Sequence, residues 1–238
     1  MNAHGPSQTR RPDAAAPLDG AAPAGGTRES VARLLLTAFL VALAADLLSL
    51  ALGYGTGHTA AKPLLMPLLA GYAAARHAPP LLIAALLFGW GGDVFLLGEA
   101  DWAFLVGMAS FAAGHVCYLL LFRPYARRTP ATPALAAGYA AALVVTVAFL
   151  WPDLPGELRV PVAGYSLLLT AMAWRASTLG LLAGAGGALF LLSDTLIATG
   201  VAEWPQLPAP DLWIMLTYGV AQLMLTVGVL AARRRPQG

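Results

Sequence analysis

Three carboxylates stand inside stretches of sequence that otherwise carry almost no charge: Asp46, Asp93 and Asp194. An acid at the centre of a membrane-crossing helix costs about 2.5–3.5 kcal/mol on insertion scales. Residues kept at that cost usually face a polar interior and serve a pathway or a reaction. Other polar groups sit at related positions. Lys62 is the single lysine among fourteen basic residues. His115 and Tyr118 lie on a stripe with Gly107, Phe111 and Gly114 at roughly helical spacing. Tyr218 and Gln222 are four residues apart and share a helix face. Tyr165 completes the set, and Asp46 stands apart from it as a residue that could simply hydrogen-bond to neighbouring helices.

The chemistry open to these groups is narrow. Two carboxyl groups in one low-dielectric site favour a state with one proton between them, which supplies a general acid and a general base together. The residues expected to do this are Asp93 and Asp194. A catalytic zinc needs about three nitrogen, sulfur or oxygen ligands around an open position. Of His4, His58, His77 and His115, only His115 falls clearly inside an apolar run, and there is one cysteine, Cys117. No metal and no cofactor are expected. Nucleophile elbows, helical His-Glu-x-x-His pairs and nucleotide loops are absent from the sequence. The Gly-x-Gly-Asp pattern of intramembrane aspartyl proteases is not met, since Trp90, Gly91 and Gly92 precede Asp93.

The elements that must position these groups follow from composition. The chain has 238 residues, of which 58% are hydrophobic and 11% charged. Soluble domains carry about 25% charged residues, so this chain lacks the polar surface that water demands. An ordinary soluble protein, a disordered chain and a nucleic-acid binder are excluded, and the formal net charge of +2 asks for no polyanion. An all-α, polytopic membrane protein remains, built as an eight-transmembrane-helix bundle. Its spans are expected at Val31–Leu52, Pro63–Ala75, Pro80–Leu97, Trp102–Phe122, Pro133–Trp151, Leu158–Arg175, Thr178–Thr199 and Leu212–Ala232. The second is shorter than the roughly 20 residues a crossing takes. Residues 1–30, rich in Ala, Pro and Gly, read as a disordered cytoplasmic tail and not as a signal peptide. Residues 31–232 form the membrane domain, and residues 233–238 a basic tail.

Charge sets the expected orientation. With eight spans, one side holds Arg10, Arg11, Arg28, Arg33, Arg76, Arg123, Arg127, Arg128, Arg175 and Arg233 to Arg235. The other holds Lys62 and Arg159, with Glu99, Asp101, Asp153, Glu157, Glu203 and Asp211. The positive-inside rule then puts both termini in the cytoplasm. Arginine in place of lysine and abundant alanine point to a GC-rich bacterial genome, hence to a bacterial inner (plasma) membrane. In this frame Asp93 and Asp194 share a depth in the outer half, and Lys62 opens the second helix above them. A polar cavity open towards that half is expected, with the two carboxylates facing across it.

The same residues resemble a known family, the lysoplasmalogenase or YhhN-like family. The resemblance rests on Lys62-Pro63, Gly92-Asp93, and Gly107-Met108-x-x-Phe111-x-x-x-His115-x-x-Tyr118. It continues through Tyr165, Met172 and Trp174-Arg175, then Gly187-Ala188-Leu189-Phe190-x-x-Ser193-Asp194, and Tyr218-x-x-Ala221-Gln222. It implies a hydrolase that cleaves the vinyl ether bond of lysoplasmalogens to a fatty aldehyde and a glycerophospho-ethanolamine or -choline. Asp93 and Asp194 would be catalytic. Lys62, His115, Tyr118, Tyr165, Ser193, Tyr218 and Gln222 would bind substrate. The partners implied are a lysophospholipid and the lipid bilayer, with no nucleic acid and no protein partner. The rival reading is a proton-coupled transporter of a small solute or lipid, in which the aspartates relay protons.

Overall fold

The computed structural model of the chain describes residues 1, 24–98, 100–125 and 132–234. They form eight helices, with no strand among them. In chain order these are α1 (Ala24–Ala51), α2 (Gly55–Ala75), α3 (Pro80–Phe95), α4 (Asp101–Phe122), α5 (Thr132–Leu150), α6 (Gly156–Ser177), α7 (Leu181–Val201) and α8 (Pro210–Arg233). A single 3₁₀ turn, Arg123–Tyr125, follows α4. Five helices, α1, α4, α5, α7 and α8, are long and apolar enough to cross a membrane. The outward-facing side chains include Leu34, Val41, Leu48, Val144, Phe149, Leu167 and Leu181. An apolar exterior on an all-helical chain of this kind is the surface of a protein solvated by lipid. The molecule is a multi-pass membrane protein.

Two boundaries differ from the sequence expectation. Helix α1 starts at Ala24, so residues 24–30 of the expected tail are helical. Arg28, Glu29 and Arg33 lie on this first part, where a helix can project into water beyond the hydrocarbon. Helix α2 starts at Gly55 and runs for 21 residues, where a segment of about thirteen was expected from Pro63. Pro63 lies in its interior, with Pro67 one turn on. Prolines are tolerated inside membrane helices because neighbours restore the lost backbone partners. At 1.5 Å per residue the helix reaches about 30 Å, the thickness of the hydrocarbon core. Lys62 therefore sits in the helix interior and does not open it. Arg10, Arg11, Glu99, Arg127, Arg128 and Arg235 lie outside the described residues.

Seven of the helices close a ring. Helix α1 packs on α2, α2 on α3, α3 on α4, α4 on α6, α6 on α7, α7 on α8, and α8 returns to α1. Small residues set the tightest crossings. A Cβ added to Gly186 would stand 2.9 Å from the Leu225 amide nitrogen and 3.0 Å from the Ala221 carbonyl of α8. One added to Gly187 would stand 2.9 Å from Ala173 Cα of α6. Such close backbone approach is how helices gain dispersion contacts in lipid, where no hydrophobic drive brings them together. Helix α5 stands outside the ring, packed on α6 and touching α7, and Leu150 is its one buried side chain.

Side chains stitch each end of the bundle. At the end where α1 begins and α8 stops, Arg28 bonds His77 Nε2 at 3.0 Å, Arg76 bonds Glu29 at 2.7 Å, and Arg233 donates to the His77 carbonyl. At the opposite end, Trp204 of the α7–α8 loop donates to Asp153 of the α5–α6 turn at 2.7 Å. Arg159 donates to the Leu154 and Pro152 carbonyls there, each at 3.1 Å. Below that loop a small apolar cluster of Leu150, Leu154, Val162 and Ala202 forms a cap.

Candidate active site

Helices α3 and α8 hold the first carboxylate. Asp93 is 2% exposed, and the Tyr218 hydroxyl donates to its Oδ2 at 2.9 Å. Gln222, one turn along α8, donates to that hydroxyl from Nε2 at 3.4 Å and accepts at Oε1 from Tyr118 of α4 at 2.7 Å. The shared face expected of Tyr218 and Gln222 is thus used in one chain of hydrogen bonds, Tyr118–Gln222–Tyr218–Asp93. Glycine makes room for it. A Cβ on Gly89 of α3 would come within 3.1 Å of both the Gln222 amide nitrogen and the Tyr218 hydroxyl.

Helices α6 and α7 hold the second. The Tyr165 hydroxyl donates to Asp194 Oδ2, and His115 Nε2 of α4 lies 3.1 Å from the same hydroxyl. A donating tyrosine leaves its oxygen free to accept, so His115 carries the proton on Nε2 in this arrangement. The His115 Nδ1 is buried with no partner. His115 orients Tyr165, and Tyr165 orients Asp194.

An aromatic wall stands between the two chains. Phe190 of α7 packs edge-on against His115 at 4.9 Å and against Tyr218 at 5.4 Å. Phe111 of α4 packs on Phe190 and on Tyr218 at 6.3 and 5.8 Å. A Cβ on Gly92 would stand 2.4 Å from the Phe111 ring, so the glycine beside Asp93 admits that ring. Asp194, Lys62 and Asp46 all lie near enough to Asp93 to act on it electrostatically. Lys62 is 9% exposed, and its ammonium makes no hydrogen bond or ion pair with another described residue.

The cavity differs from the polar one expected. It lies between α4, α6 and α7 on the ring side and α5 on the outside, with Leu96, just past α3, also on its wall. Asp194 and Tyr165 stand on that wall with Thr146, Ser166, Thr170 and Thr195, and the other lining residues are apolar. Asp93 does not reach it. Its apolar character has a simple cause: α5 carries Ala, Leu and Val on every face, so whatever face it turns to α6 is oily. Ser193, expected to bind substrate, spends its hydroxyl on the Ile214 carbonyl at 3.1 Å and joins α7 to α8. Tyr118, expected to line the site, is enclosed behind Gln222 at 1% exposure.

One pair escaped the sequence. Asp46 of α1 is fully buried and bonds His58 Nδ1 of α2 at 2.8 Å, while its Oδ2 has no partner. The signal was present: His58 and Lys62 are four apart and share a face of α2 once that helix begins at Gly55. Among the described residues no cluster of three His, Cys, Asp or Glu side chains could hold a metal ion.

The chain is 37% identical to lysoplasmalogenase TMEM86B of Homo sapiens over 150 residues, which is 63% of each protein. It is 30% identical to lysoplasmalogenase TMEM86A of Homo sapiens over 176 residues, 68% of this chain and 70% of the relative. It is 29% identical to the lysoplasmalogenase of Mycobacterium tuberculosis over 198 residues, covering 76% of this chain and 75% of the relative. The match to TMEM86B thus spans under two thirds of the relative's length. No solved structure matches the chain. The YhhN family model matches residues 57–229, which begins just before His58 and ends on α8. It takes in every helix but α1, both carboxylates with their tyrosines, and Lys62: the chain belongs to the YhhN family.

Proposed function

We propose that this protein is a membrane hydrolase that cleaves the vinyl ether bond of a lysoplasmalogen. The products are a fatty aldehyde and glycerophosphoethanolamine or glycerophosphocholine. The observation that carries the reading is Asp194, a carboxyl group held by Tyr165 on the wall of a mostly apolar cavity. The names of the relatives support the same substrate.

The chemistry needs one proton, one water and no cofactor. A carboxylic acid donates its proton to the β-carbon of the vinyl ether, and the π electrons form the new C–H bond. The adjacent carbon becomes an oxocarbenium ion, which nearby carboxylate charge stabilises. Water adds to that carbon and gives its proton to a carboxylate. The hemiacetal then collapses, the glycerol oxygen leaves with a proton, and aldehyde is released. Asp93 and Asp194 act as a pair: Asp194 meets the substrate from the cavity wall, and Asp93, buried behind Phe111 and Phe190, supplies the second carboxylate's charge. Lys62, electrostatically in reach of Asp93, receives the lipid phosphate, and His115 positions Tyr165 against Asp194.

The arginine pattern supports eight crossings of a bacterial plasma membrane with both termini in the cytoplasm. The reaction is tested on purified protein in detergent with a lysoplasmalogen and an aldehyde assay. Aldehyde release without any ion gradient is expected, with a solvent deuterium isotope effect on kcat from rate-limiting protonation of carbon. No aldehyde, together with gradient-driven uptake in proteoliposomes, would establish a transporter instead.

A further inference from the structure

The position of α5 has a meaning for the substrate. Helix α4 meets α6 directly in the ring, although α5 lies between them in sequence. The cavity is the space left between that ring and α5. Along α6 its wall runs from Val162 to Thr170, eight residues or about 12 Å at the helical rise. Asp194 and Tyr165 stand partway along it. The end beyond them is roofed by the cap of Leu150, Leu154, Val162 and Ala202, tied down by the Trp204–Asp153 bond. On the side, α4 and α5 both line the cavity, but the packing of α5 is directed to α6 and α7. The seam between α4 and α5 is therefore the part of the wall least closed by helix packing.

We propose that this cavity is the binding site for the hydrocarbon chain of the substrate lipid, which enters from the bilayer between α4 and α5. The inference rests on the lysolipid reading above. An alkenyl chain is the occupant whose chemistry fits: a mostly apolar space with a carboxylate on its wall, where a vinyl ether would meet it. A water-soluble solute would meet mostly aliphatic side chains there and leave its polar groups unpaired.

The test uses a lipid that binds but cannot react. Saturated 1-O-alkyl lysophosphocholines lack the vinyl π bond that is protonated. Binding of the hexadecyl and hexyl forms is measured to the whole protein in nanodiscs. Ala142→Trp and Thr146→Trp, one turn apart on the cavity face of α5, should weaken hexadecyl binding at least about tenfold, because buried methylenes lose their site. Hexyl binding should weaken less than hexadecyl binding, because fewer methylenes lose their site. Val145→Trp, on the lipid-facing side of α5, serves as the control for folding and should change neither. Equal loss for both lipids, or unchanged hexadecyl binding in both variants, would overturn the proposal. Aldehyde assays on matching vinyl ethers separate the two inferences. Turnover whose chain-length preference ignores both tryptophans sinks the chain site and leaves the hydrolase standing. Chain-dependent binding without any aldehyde does the reverse.

Discussion

Asp93 and Asp194 are each presented by a tyrosine, and the two tyrosines answer to different neighbours. Tyr218 is held by Gln222 and through it by Tyr118, while Tyr165 is held by His115. Removing a carboxylate tests the chemistry, and removing a tyrosine hydroxyl tests its aim. Asp93→Asn and Asp194→Asn should each lower aldehyde release at least about a hundredfold, the size of a general acid–base contribution, with insertion and folding intact. Near-normal turnover in either variant would end the two-carboxylate mechanism. Tyr165→Phe leaves Asp194 on the cavity but frees it to rotate, so kcat should fall more modestly and KM little. Lys62→Met addresses binding alone. Its KM should rise for a phosphate-bearing substrate and stay level for a headgroup-free vinyl ether. An equal rise for both would mean that the lysine serves the helix and not the lipid.

At the scale of elements, the pair between α1 and α2 gives the clearest forecast. Losing one partner of a buried hydrogen-bonded pair strands the other, whereas replacing both with apolar groups is often neutral. His58→Ala should therefore destabilise the protein by about 3 kcal/mol, and adding Asp46→Leu should restore much of the lost thermal stability. If the double variant unfolds no higher than His58→Ala alone, the pair is not what joins these helices. Elements are also where the sequence was most and least legible. Apolar runs of near-constant length gave six of the helices within about three residues, because lipid demands length and hydrophobicity from each segment separately. For α2 the apolar run marks only the part from Pro63 onward, since the preceding turns carry glycines and polar residues whose helix depends on neighbours. Helix α1 was begun late because Arg28 and Glu29 mark the end of hydrocarbon, not of helix. Asp93 and Asp194 stood out as acids in apolar runs, and Tyr218 with Gln222 as a helical pair. The aromatic wall between the carboxylates was hidden, since a phenylalanine in such a chain looks like any other lipid-facing residue. A cavity is legible in the sequence, but not its place or its mostly apolar wall, which follow from α4 meeting α6 past α5.

Across the described part of the molecule, most arginines gather at one end, while Arg159 and Asp153 stand at the other. Arg28, Arg76 and Arg233 meet around the α2–α3 turn, and Asp153 lies with the α7–α8 loop. Reporter fusions after Arg234 and within Pro152–Glu157 should report opposite sides of the membrane, with the arginine end in the cytoplasm. Both reporters on one side would break the eight-crossing topology. The same stitching has a further consequence. His77 is touched by Arg28 from α1 and by Arg233 from α8, so the first and last helices finish beside one another on one face. The order of helices along the chain is then separable from their order around the ring. A circular permutant that joins Arg234 to Ala24 through a short flexible linker and opens at Gly180, on that same face, keeps every helix in its place and every arginine on its side. Such a rewired chain should insert, bind lipid and turn over like its parent.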